Sequence, residues 1–133
     1  MPYENDAVLD ALLTTDLDVT REVEMPRFGV SFTVRALTMK EITKLRKQAT
    51  AITGGKGKTV EVLDEENFAA LLIAAACNTP DWKSPVLMNK LGVDTPEDAV
   101  SKRLLAGEMS YLSGEIMDAS GFDMDALTGK AKN

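Results

Sequence analysis

Between residues 18 and 36 the apolar side chains recur every second position, and from Leu37 onward they recur at three and four. A chain that changes period in this way must begin as strands and continue as helices, and the two parts must share one core. In the first part Val19, Arg21, Val23 and Met25 alternate with Thr20, Glu22 and Glu24. After Pro26-Arg27-Phe28-Gly29 come Val30, Phe32, Val34 and Ala36 against Ser31, Thr33 and Arg35. Two alternating runs around a short segment with Pro and Gly form the pattern of a β-hairpin. Each strand has one apolar face, and only the following helices can cover it. The expected fold is α+β, mainly α, with the N-terminal hairpin packed on a compact multi-helix body. The expected organisation is a lead-in helix within 1–17, one domain over 18–122, and a flexible tail over 123–133.

The helical part is punctuated by local signals. Thr38 and Glu41 form a capping box, with Leu37 and Ile42 as its hydrophobic staple. This predicts a helix to about Ala51, with Ile42, Leu45 and Ala49 inward. Thr53-Gly54-Gly55-Lys56-Gly57-Lys58 reads as a flexible loop, and 59–63 as a short strand. Asp64 caps a helix carrying Phe68, Leu72 and Ala76 through Cys77, and Pro80 stops it. Ser84-Pro85 and Thr95-Pro96 start two further helices; Gly92 ends the first, and Val100 and Leu104 lie on the second. A last helix over 108–120 turns Met109, Leu112 and Ile116 inward. Gly121 suits a left-handed C-terminal position that folds Phe122 back onto Met117. Asp6 caps the lead-in helix over 6–15, where Val8, Ala11 and Leu12 share a face.

Composition removes several functions. The chain has 133 residues with 15 basic and 21 acidic side chains, a net charge of -6. Without an arginine-rich stripe it repels a phosphate backbone, so nucleic acid is not an expected partner. There is no histidine and one cysteine. Zinc is thereby excluded, and acid–base chemistry would fall on carboxylates or lysines. Cys77 lies in the run Leu71-Leu72-Ile73-Ala74-Ala75-Ala76-Cys77 and reads as a buried small hydrophobe. Glu65-Glu66 and Glu97-Asp98 fall in first helical turns, where they complement the helix dipole. Asp118, Asp123 and Asp125 lack the spacing of a calcium loop. Gly54-Gly55-Lys56-Gly57-Lys58-Thr59 ends like a phosphate-binding loop, but Ile52 stands where that motif needs glycine, and no helix follows. No catalytic residue, metal or cofactor is expected. The longest apolar run, Phe68 to Cys77, is far short of a ~20-residue span. No secretion signal opens the chain. The expected compartment is the host cytoplasm, without membrane contact.

The order of segments resembles the XkdN-like tail assembly chaperones of long-tailed bacteriophages. The likeness rests first on Arg35-Ala36-Leu37-Thr38, Glu41 and Leu45-Arg46-Lys47-Gln48-Ala49-Thr50. It continues through Leu71 to Ala76, Pro80-Asp81-Trp82-Lys83, Leu87, Leu91-Gly92-Val93 and Pro96-Glu97-Asp98-Ala99. Leu104 to Glu108, Tyr111-Leu112 and Gly121-Phe122-Asp123 complete it over residues 17–124. Ala106 stands where the family commonly has proline, and the glycine-lysine loop is a second departure.

The resemblance implies a non-enzymatic protein that is absent from the mature virion. Its implied work is to bind the tape measure protein, keep it soluble, and recruit tail tube protein. A small structural tail or baseplate component is the alternative. Trp82, Met88, Met124 and Leu127 are the candidate contacts for the tape measure protein. The reasons are seven methionines in the chain, whose flexible thioethers suit varied apolar partners, and apolar tail residues with no evident core role. Trp82, on a turn, reads first as a lid over the core. The resemblance also implies a longer chaperone made by a −1 ribosomal slip. Thr128-Gly129-Lys130 and Ala131-Lys132-Asn133 can be encoded with heptamers that permit it. That longer form, and a second copy of the chain, are further candidate partners.

Overall fold

The computed structural model describes residues 6–15, 19–54, 57 and 59–122. Helix α1 spans Asp6–Thr14, followed by the hairpin strands β1 (Thr20–Met25) and β2 (Val30–Arg35). The strands pair antiparallel, with Val23 opposite Phe32 and Arg21 opposite Val34. One 3₁₀ turn, Pro26–Phe28, joins them, and Gly29 closes it at φ 69°. That left-handed conformation carries no steric cost for glycine. Val23, Met25, Phe32 and Val34 are buried while Glu22, Glu24 and Ser31 face solvent, as the alternation requires.

Helix α2 (Met39–Gln48) begins at the expected capping box, in which the Thr38 hydroxyl accepts from the Glu41 N–H and Glu41 accepts from the Thr38 N–H. Leu37 and Ile42 are both buried beside it. The helix ends sooner than its apolar spacing suggests. Thr50–Thr53 form β3, which pairs antiparallel with β4 (Val60–Leu63), Ala51 lying opposite Val62. β-branched residues at 50, 52 and 53 favour extended backbone once the helical face is complete at Ala49.

Helix α3 (Glu65–Ala76) is capped by Asp64, which accepts from the Asn67 N–H at 3.1 Å. Leu72, Ile73 and Ala76 are almost wholly buried, because α3 packs against α2, β2 and the two later helices α5 (Pro96–Arg103) and α6 (Ala106–Met117). A helix apolar on nearly every side belongs at the centre of a core. The sequence carries α3 through Cys77, but Cys77–Thr79 instead form a third strand, β5, on the free side of β2. Three residues cannot display a period, so nothing local announces this strand.

Helix α4 (Pro85–Leu91) starts on Ser84 and ends on Gly92 at φ 70°, and α5 starts on Thr95, each with proline in its first turn. Helix α6 begins two residues before the expected Glu108, so Glu108 becomes its third residue. Met109, Leu112 and Ile116 point inward as expected. A π-helical turn, Asp118–Phe122, follows, with Gly121 at φ 95°. Ser120 ties this end to the start of α2: its hydroxyl donates to Ile116 O at 2.7 Å and accepts from Leu37 N–H at 2.8 Å. Arginines of the hairpin segment pair with glutamates of the helices: Arg21 with Glu115 at 3.5 Å, Arg27 with Glu108 at 2.7 Å and Arg35 with Glu41 at 2.8 Å. These pairs and the shared core turn two local patterns into one α+β body.

Candidate functional site

Several side chains that could carry chemistry have structural roles. Glu65-Glu66 and Glu97-Asp98 occupy the first turns of α3 and α5. The Glu41 carboxyl is held down at about 2, first by its bonds to Arg35 and then by the Thr38 N–H. Cys77 is buried, and burial pushes its thiol up to about 11. Trp82 slightly favours the thiolate, although its indole N–H makes no hydrogen bond of ordinary geometry. A thiol so buried is a poor nucleophile at neutral pH. Among the described residues no group of three or more His, Cys, Asp or Glu could hold a metal ion. The glycine-lysine loop joins β3 to β4, two antiparallel strands, whereas a phosphate cradle needs the strand-to-helix turn that points N–H groups at the ligand. Among the same residues no helix is long and apolar enough to cross a membrane.

Of the four candidate partner residues, Trp82 and Met88 are among the described residues. Trp82 is 3% exposed and meets Phe32 edge-on, with ring centroids 6.3 Å apart. Asp81 builds its turn, accepting from Lys83 N–H at 3.0 Å through the side chain and from Ser84 N–H at 3.1 Å through the carbonyl. Trp82 is therefore the lid rather than a presented anchor. Met88 is half-buried on α4. Met124 and Leu127 lie outside the described residues. Met25 and Met109 fill the core, whereas Met39 is 65% exposed.

Apolar surface is offered elsewhere. A groove of about 650 Å³ runs between the start of α3 and helices α5 and α6. Ala69, Leu104 and Met109 form its floor, and Glu65 and Glu66 stand at its edge. The small Ala69 side chain keeps it open, because a longer one on that turn of α3 would fill it. No lysine or arginine lines it. The Ser113 hydroxyl, buried at its border, has no hydrogen-bond partner among the described residues. Sequence spacing placed Leu104 and Met109 in the core; it carried no sign of a groove beside them.

The phage XkdN-like tail assembly chaperone family matches the chain over residues 9–131. The crystal structure of the protein YqbN superposes with a TM-score of 0.61 at 21% identity, covering 82% of this chain and 90% of that one. At that identity the likeness establishes a shared fold. No curated protein matches the chain.

Proposed function

The chain belongs to the phage XkdN-like tail assembly chaperone family, and on that premise we propose that it binds the tape measure protein in the host cytoplasm and keeps it soluble while the tail is built. It acts by binding, without catalysis, and leaves before the virion is complete. The observation that carries this reading is the groove between α3, α5 and α6, with an apolar floor and a carboxylate edge. Such a groove fits an amphipathic helix whose apolar stripe is flanked by lysine or arginine. Tape measure proteins must hold long apolar helices in water before assembly, so a groove of this kind supplies the cover they need. Met88 and the tail residues Met124 and Leu127 extend the contact, while Trp82 remains a lid on the core. Tail tube protein joins at a later step.

The test is co-expression with the tape measure protein of the same phage. Wild type is expected to raise its soluble fraction and to co-purify with it. Ala69→Trp, which fills the groove, is expected to abolish both while leaving the circular dichroism spectrum unchanged. Solubilisation undiminished by Ala69→Trp would remove the groove from the proposal. Mass spectrometry of purified particles should find the chain absent; its presence would favour a structural tail or baseplate component. A longer form made by a −1 slip belongs to the same proposal, and the codons for residues 128–133 test it.

A further inference from the structure

Two elements stand away from the core, and each lacks what the other has. Helix α1 buries none of its residues. Val8, Leu9, Leu12 and Leu13 form one stripe, 55–76% exposed. A nine-residue helix is shorter than the ~12–15 residues that hold helical structure unaided in water. The β3–β4 hairpin has the matching deficit, since a two-stranded hairpin needs a third strand or a helix to be stable. Ala51 and Val62, opposite each other in the ladder, share a solvent-exposed face with Val60. Helix stripe on sheet face is how such layers cover each other.

Charge matches as well. Residues 1–20 hold five acidic side chains and no basic one, while residues 39–58 hold six basic and one acidic. In the structure Asp6 and Asp10 lie beside Leu9 and Leu13 on α1, and Arg46 and Lys47 close α2 just before β3.

We infer that α1 of one copy docks on the β3–β4 face of a second copy, reciprocally, giving a two-fold dimer. Within one chain the two surfaces do not cover each other: α1 buries none of its residues, and Ala51 and Val62 are exposed. Reciprocity matters because one short helix covers only a fraction of the ~1,200–2,000 Å² that a stable contact buries, and exchange doubles it. The inference does not rest on tape measure binding, and its test contains no tape measure protein.

The test is sedimentation velocity on the full chain with two charge-reversed variants, Asp6→Lys/Asp10→Lys and Lys44→Glu/Lys47→Glu. All four positions are exposed, so unchanged circular dichroism is the folding control. Wild type should dimerise at micromolar concentrations, more weakly at high salt. Each variant alone should dimerise at least about tenfold more weakly. An equimolar mixture should restore the dimer, because each α1 then meets a face of opposite charge in trans. A monomeric wild type, variants that dimerise as wild type does, or a mixture that stays monomeric would each overturn the inference. Leu9→Asp/Leu12→Asp gives an independent arm: it should be monomeric and folded, and a dimer there would also overturn it.

Discussion

Arg27 and Glu108 lie 81 residues apart in sequence and form a two-pronged ion pair, with Arg27 Nε 2.9 Å from Oε2 and Nη2 2.7 Å from Oε1 of Glu108. The same carboxylate accepts from the Leu105 N–H at 2.8 Å, capping α6. Arg27 Nη2 also donates to the Arg103 carbonyl at 2.9 Å, and its guanidinium lies over the Phe28 ring. One contact thus fastens the hairpin turn to the start of the last helix. Arg35 and Glu41 repeat the arrangement at the other end of β2, where the glutamate again caps its own helix.

Glu108 should make stability depend on pH in acid. Its carboxyl is lowered from 4.5 to about 2, first by its hydrogen bonds to Arg27 and then by the Leu105 N–H. A depressed acid contributes stability that is complete above its unfolded value and is lost as pH falls through the folded one. Glu108→Gln is expected to unfold at lower urea than wild type at pH 7. The gap between their midpoints should narrow from pH 4.5 toward pH 2. A gap constant across that range would deny the pair its role.

The centre of the core should be costly to empty. Ile73 and Leu112 are each 0% exposed, so alanine at either is expected to lose about 2–5 kcal/mol in urea titration. Val86→Ala, at a side chain 65% exposed, should stay within about 0.5 kcal/mol of wild type.

Removing the α2 cap should have an intermediate effect. Thr38→Ala takes away the acceptor for the Glu41 N–H, and the expected loss is about 1 kcal/mol. Loss beyond the core variants' range would mean that Thr38 has a larger role than capping.

Cys77 should resist alkylation in the folded protein. Its burial and its raised pKa of about 11 both keep the thiolate scarce. Iodoacetamide at pH 8 is expected to label the protein in urea and leave the native protein unlabelled, as mass spectrometry can show.

The tail enters only through the proposed tape measure contact. Truncation after Phe122 removes Met124 and Leu127, and it is expected to weaken tape measure co-purification without changing the melting temperature. Equal recovery would take the tail out of that contact.

The sequence by itself determined the elements whose signals act over a few residues. Alternation marks Val23, Met25, Phe32 and Val34 as one buried face, and Gly29 meets the turn's need for a left-handed residue. Thr38, Asp64, Ser84 and Thr95 begin helices because each side chain bonds a backbone N–H three residues on. Only the tertiary structure decided what depends on distance across the fold. Strand β5 exists because β2 offered Cys77–Thr79 an open edge, and three residues carry no period of their own. Trp82 points into the core because Phe32 meets it there. The glutamates at 41 and 108 both read as ordinary helix-start acids, and only the hairpin's arrival set Arg35 and Arg27 against them. The groove beside Ala69 is likewise a gap between α3 and the two helices α5 and α6, and the separation of helices far apart in sequence is written in no local pattern.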